Sequence, residues 1–469
     1  MRVVVVGGGI AGLASAWAIR AEAARRAEAL ELTVLEAGPR PGGRIRTTRE
    51  GGYLVEWAAN AVQGTDGAAW RLTEALGIAS RRVLGRPDAA RRYLARGGRL
   101  HRLPMHPAAL FGFGGISPGA RLRVAMEPFF ARRATREESV HDFAARHIGE
   151  EAAEVLVGAV VRGVFAGDAR KLSVDAAFPV MREIEKKHRS LVMALMGMAR
   201  RKGGAPGLGG GSRVLWTLTE GMQSLPDALA DRLAPAIRLA TPALAVEKVV
   251  AGYTVRVASG ESLPADAVVL AIPARAAAAL VRPLDAAWAR ELATIESAGL
   301  AVVALGFRRD RFRAAPDGYG YLVAPGEDLP VLGALFESNL FRGRAPEGEV
   351  LVRVMMGGTD RPDLVTRSDA ELAGLAMEAL DKTHGLASGP ERTWVIRQEA
   401  SIPQYAVGHA TLMAELDRRA AMHPGLFLTG NAYRGVSVAS LAEDAERIAV
   451  RVVGAPGVVG APRAAAAAR

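Results

Sequence analysis

Residues 3–12 read VVVVGGGIAG. Four consecutive valines predict a strand buried on both faces of a parallel sheet, and the glycines behind them let the backbone turn sharply with no Cβ in the way. Gly7, Gly9 and Gly12 stand at GxGxxG spacing, with Gly8, Ile10 and Ala11 completing the turn. The apolar recurrence of residues 10–19 predicts a helix whose free N–H groups and positive dipole end face a pyrophosphate. A second strand, LELTVLE, ends in Glu36, with Ala37 after it. That is roughly twenty-odd residues past the last glycine, where a carboxylate accepts from ribose hydroxyls. Strand, turn, helix and acid together predict a dinucleotide site. The alternative is an accidental turn in a glycine-rich chain.

The chain has 469 residues, half of them apolar, too many for one simple core, and two or three domains are expected. Cysteine is absent, which excludes disulfides, thiolate metal sites and a redox dithiol and leaves electron chemistry to a bound cofactor. No His or carboxylate cluster has metal or triad spacing, so neither a metal nor a protein acid or base is expected. The net charge of +11 comes mostly from arginine. With no nucleic-acid reader motif and few aromatics, a polycarboxylate substrate or anionic lipid fits that charge better. No apolar run is long enough to span a bilayer. Two segments are candidates for lying on one, 103–116 (LPMHPAALFGFGGI) and 191–198 (LVMALMGM), ordinary core packing being the alternative for each. Since the first strand starts at once, no signal or transit peptide is expected. Apolar spacing predicts core helix over 140–161 and a long helix over 369–383, with Ser173 as an N-cap. The stretch 202–212 (KGGAPGLGGGS) reads as a loop between domains, and the tail 457–469 as disordered.

Beyond Glu36, residues 37–47 read AGPRPGGRIRT, an extension that resembles the one shared by FAD-containing amine oxidases. Gly42 and Gly43 permit close backbone approach and Arg44 offers charge to a phosphate; the alternative for Arg40, Arg44 and Arg46 is a solvated basic turn. At residues 56–61 the superfamily's usual glycines give way to EWAANA, which puts Ala58, Ala59 and Asn60 beside the flavin without the usual backbone freedom. Asn60 either hydrogen-bonds flavin or substrate, or caps the turn.

Further along, RRYLARGGRLHRLP (91–104), ESVHDFAARHIG (138–149), RGVFAGDARKLSVDAAFP (162–179), DGYGYLVAPGEDLPVLGALFES (317–338) and above all SIPQYAVGH (401–409) resemble the protoporphyrinogen oxidases. The resemblance implies an α/β flavoprotein of the amine oxidase or p-hydroxybenzoate hydroxylase type. Its parts would be a discontinuous, Rossmann-like FAD-binding domain (1–75, 210–283 and 395–456), a helical, membrane-facing domain (76–209) and a mixed-sheet substrate domain (284–394). It also implies that Arg92 grips a propionate, with Tyr93 as aromatic neighbour, and that Tyr319, Gly320, Leu322 and Met355 line a flat macrocycle. On the cofactor side, Ala243 pairs with the adenine through its backbone, and Gly430, Gly435, Val436 and Val438 bring a helix start to the flavin's pyrimidine edge. The implied reaction is six-electron oxidation of protoporphyrinogen IX, with flavin N5 as acceptor and dioxygen leaving as hydrogen peroxide. Coproporphyrinogen III oxidation uses the same fold and stays open, as does a flavin- or porphyrin-binding carrier without turnover. An amine oxidase or carotenoid desaturase would lack the IPQYxxGH string. The expected setting is the bacterial cytoplasm, peripheral to an anionic inner-membrane face, with no nucleic-acid partner and with a homodimer left open.

Overall fold

The computed structural model describes residues 1–104, 107–134, 136–200 and 214–454. The expected loop 202–212 and tail 457–469 lie outside them. The strand Arg2–Val6 is the middle of a five-stranded, all-parallel sheet in the order 237–238, 31–35, 2–6, 267–270, 426–428. Its valines are needed on both faces. Val3 and Val5 pack under the helices Ile10–Arg25 and Val438–Val453, while Val4 and Val6 pack with Tyr253, Val255 and Trp288 behind a three-stranded antiparallel layer. Burying four such side chains stabilises the layer by about 1.5–3 kcal/mol each, and the strand's one polar residue, Arg2, stands at its partly exposed start.

A second sheet of seven strands runs in the order 392–403, 297–308, 349–357, 333–336, 320–323, 92–96, 99–102. The hairpin 92–102 lies, in sequence, within the arginine-rich helical stretch, yet it completes this sheet, with Arg92 opposite Gly320 and Tyr93 opposite Tyr321 in parallel register. The helix Asp369–His384, held at its start by a capping box of Ser368 and Glu371, covers one face. The other face meets the cofactor layer, where Val302, Ala304 and Leu351 pack with Tyr53 and Val55 of the strand Tyr53–Glu56.

The expected helix 140–161 is broken. It stops at Ile148, because Gly149 takes φ +87°, and it resumes through a wide turn at Ala153–Val157 before Gly158–Phe165. Apolar spacing survives such a break because each piece still turns one side to the core. Ser173 caps the helix Val174–Ala177 as expected, accepting from the Ala176 amide.

Candidate active site

The opening turn is shaped by backbone contacts that exclude side chains. Gly7 takes φ +108°, and a Cβ there would lie 2.5 Å from the Ala271 carbonyl oxygen; a Cβ on Gly12 would lie 1.8 Å from the Gly7 oxygen. The Gly8 amide donates to Glu36 Oε2 at 2.8 Å and the Gly38 amide to Oε1 at 2.7 Å, so Glu36 is oriented by the turn and still has a lone pair on each oxygen. Ala37 is exposed beside it. The Thr241 amide donates to the Glu36 carbonyl, bringing Ala243 and its strand alongside.

The extension 37–47 folds back over this turn: Gly9 and Gly42 form a bridge, and Gly43 sits so close that its Cβ would be 3.1 Å from Gly9 Cα. The N–H groups of Ala11 and Gly12 have no partner among the described residues, which leaves the helix start ready for phosphate oxygens. Arg44 is not part of a solvated basic turn. Its guanidinium donates to the Ala400 carbonyl, and burial lowers its pKa. Arg46 lies over the Trp57 ring at 4.8 Å.

At the far end, Glu56 is buried among the Met222 amide, the Thr47 hydroxyl and Arg344, and burial pushes it up to about 7. Ala59 packs toward the core under the first sheet. The Ala58 carbonyl accepts from Arg353 at 3.1 Å, and Arg353 is itself paired at 2.7 Å with Glu337, both side chains buried. Among the described residues Asn60 caps no turn: its buried amide nitrogen lies toward the Tyr319 hydroxyl without a well-formed hydrogen bond. Across the sheet, Gly430 takes φ +127° with open space where a Cβ would be. Gly435 has φ +125° and its amide is already engaged by the Tyr405 hydroxyl at 2.8 Å. Val436 packs with the cluster around Tyr405. Ser437 caps the closing helix, and the N–H groups of Val438 and Ala439 have no partner among the described residues. Unpartnered amides at two helix starts, an oriented acid and contacts that admit only glycine fit a dinucleotide with a ring system at its far end.

On the substrate side, Arg92 is exposed, makes no ion pair among the described residues, and lies 5.1 Å from the Tyr319 ring centre. Its neighbour Arg91 is paired with Asp317 at 2.7 Å. The reading of Tyr93 needs correction, because its hydroxyl donates to Asp317 and its ring packs on the helix-covered face. Alternation along a strand puts successive side chains on opposite faces, so the aromatic beside Arg92 is Tyr319. Gly320 is required where its Cβ would be 2.1 Å from the Ala334 oxygen. Leu322 and Met355 are half-buried and line up across Gly333 on the face away from the helix 369–384; Leu322 packs with Leu94 and Phe113, and Met355 with Leu300 and Ile402. The Glu337–Arg353 pair was missed; its one sequence signal is a lone arginine inside the apolar strand EVLVRVMMG.

Residues 10–453 match the family model for flavin containing amine oxidoreductases. The chain belongs to that family. This amine oxidoreductase is 29% identical over 449 residues to the coproporphyrinogen III oxidase of Bacillus subtilis (strain 168), covering 93% of this chain and 94% of that one. It is 31% identical over 489 residues to the protoporphyrinogen oxidase of Bos taurus, covering 96% and 98%. A crystal structure from Exiguobacterium sp. 255-15, which carries the provisional name protoporphyrinogen oxidase, superimposes with a TM-score of 0.83 at 25% identity over 96% of this chain and 97% of that one. Reduced UDP-galactopyranose mutase, at 14% identity with a TM-score of 0.72 over 97% and 95% of the two chains, shares the fold. The amine oxidoreductase is therefore an FAD enzyme whose relatives include porphyrinogen oxidases. Bound in the cradle described, FAD supplies a two-electron acceptor. Among the described residues no His, Asp or Glu group could hold a metal, and no helix is long and apolar enough to cross a membrane.

Proposed function

We propose that this amine oxidoreductase oxidises protoporphyrinogen IX to protoporphyrin IX, six electrons leaving in three two-electron steps that reduce three dioxygen molecules to hydrogen peroxide. The observation that carries this reading is the guanidinium of Arg92 over Tyr319, without an ion pair among the described residues and on the sheet face that also carries Leu322 and Met355. A flat body rests on such a face by packing, and one carboxylate reaches a guanidinium with no acidic partner among the described residues. Of the two adjacent arginines, Arg91 is tied to Asp317 and Arg92 has no ion pair among the described residues, which favours a dicarboxylate over the four-carboxylate coproporphyrinogen III. Steady-state kinetics on both porphyrinogens tests this. The expected result is a kcat/KM for protoporphyrinogen at least about tenfold higher; preference for coproporphyrinogen overturns it. Yellow protein that forms no fluorescent porphyrin in air would instead be a carrier.

The second part of the proposal is that an anionic membrane surface is a partner. Of the two apolar segments, Phe113, Ile116, Leu191 and Ala194 are buried in the core, leaving Phe111 and Met193 exposed. They are joined by Leu122, Phe129 and Phe130, exposed at 59%, 76% and 51% and followed closely by Arg132 and Arg133. Exposed aromatics next to arginines support shallow insertion with the cations at headgroup level. Flotation with anionic liposomes at low salt is expected to carry the protein to the lipid fraction, and Phe129→Glu with Phe130→Glu to abolish it. Wild-type protein left in the soluble fraction overturns the proposal.

A further inference from the structure

The string IPQYAVGH, residues 402–409, is the part of the sequence with the sharpest resemblance, yet the site so far leaves it without a role. Its side chains converge on one turn. Tyr405 is buried, and its hydroxyl donates to the Asn431 carbonyl at 2.5 Å while accepting from the Gly435 amide at 2.8 Å. His409 stacks on the Tyr405 ring, with centroids 4.4 Å apart and planes 24° apart, and its Nε2 reaches the Tyr433 carbonyl at 3.4 Å. A carbonyl only accepts, so Nε2 carries the proton. Three side-chain contacts therefore fall within residues 431–435, which lead from the strand Leu426–Leu428 into the closing helix Val438–Val453.

The turn is also held by the burial of Ala432 and Tyr433, by the Asn431 side-chain amide on the Ser401 carbonyl at 3.2 Å and by Arg434 paired with Asp417 at 2.6 Å. Gly430 precedes it at φ +127° and Gly435 ends it at +125°, and among the described residues one backbone hydrogen bond closes it, from the Tyr433 amide to the Gly430 carbonyl at 3.2 Å. The other side of the string is anchored elsewhere. The Ser173 amide donates to the Tyr405 carbonyl, the Val407 amide to the Lys171 carbonyl, and Gln404 to the Phe165 carbonyl. The phenol thus holds both ends of the turn, the Asn431 carbonyl and the Gly435 amide, to a well-anchored strip. Removing its oxygen leaves a partly buried donor and a partly buried acceptor unpaired, which costs more than the net gain of making the bonds.

We propose that Tyr405, supported by His409, is a positioning residue. It sets residues 430–437, and through them the angle at which the free amides of Val438 and Ala439 meet the pyrimidine edge of bound FAD. A small displacement of such dipoles changes how well they stabilise negative charge on that edge. The inference rests on FAD binding and not on the identity of the substrate, so it survives a wrong substrate reading.

The test uses the FAD-loaded full chain with no porphyrinogen present. In Tyr405→Phe, amide hydrogen exchange of residues 429–437 is expected to be at least about tenfold faster, while residues 10–25 exchange as in the wild type. The flavin of this variant is expected to need a more reducing dye to reach half reduction. Exchange and half-reduction both unchanged overturn the proposal, and so does faster exchange with an unchanged flavin, which would mean a purely structural tyrosine. If Tyr405→Phe does not fold, His409→Phe decides: it keeps a stacked ring and loses only the carbonyl contact. A smaller change in the same two readouts supports the proposal, and no change in either overturns it.

Discussion

Gly12→Ala is expected to yield colourless protein, and Gly9→Ala folded protein with weakened FAD binding. At Gly12 the added methyl would sit 1.8 Å from the Gly7 oxygen and 3.2 Å from Ala271 Cβ, against backbone and a packed helix that have nowhere to move. The strand Arg2–Val6 and the helix Ile10–Arg25 must part at the centre of the core, a loss of at least about 3 kcal/mol. Gly9 is different: with φ −73° and nothing nearer than 3.9 Å, an alanine fits the protein itself. What it fills is the space between the helix start and the returning extension at Gly43, where the diphosphate must lie. Gly9→Ala should therefore melt within about 1 kcal/mol of wild-type apoprotein, while its FAD dissociation constant rises at least about tenfold. Flavin absorbance per mole of purified protein and a flavin titration of the apoprotein read both effects. A fully yellow Gly12→Ala, or unchanged affinity in Gly9→Ala, would refute this account of the cradle.

What was legible in the sequence was whatever depends on neighbours along the chain. Four valines followed by glycines announced a doubly buried strand and a turn, and the helix 369–384 carried its own cap at Ser368. Features that depend on distant partners were not legible. Arg44 looked like a phosphate ligand or a solvated turn, but its guanidinium meets the carbonyl of Ala400, which arrives some 350 residues later. Tyr93 stands next to Arg92 in the string, but a strand sends neighbours to opposite faces, so adjacency in sequence does not make it the ring beside Arg92. Gly149 was a visible signal too, since a glycine inside an apolar helical pattern often marks a break. Phe129 and Phe130, by contrast, look like core residues in sequence. Only the packing of the helices around Glu127 and His147 turns them outward.

Arg92→Ala is expected to raise KM for protoporphyrinogen about 10- to 100-fold with kcat within a few-fold of wild type. A hydrogen bond to a charged group is worth about 1.5–3 kcal/mol, and a carboxylate contact remote from the reacting carbon is made equally in ground and transition states, so its loss falls on KM. Among the described residues the guanidinium has no ion pair to break and faces the Tyr319 ring 5.1 Å away, so stability should change by less than about 1 kcal/mol. Arg92→Lys keeps the charge and loses the planar fork, and should recover part of the loss. The dimethyl ester of protoporphyrinogen separates this role from a general defect. It has no carboxylate to grip, so wild type and Arg92→Ala should handle it alike, both near the level of the variant on the free acid. If Arg92→Ala lowers kcat/KM as much for the diester as for the acid, Arg92 shapes the pocket instead of binding a carboxylate. If it lowers neither, the free guanidinium at that edge is not where the substrate is held.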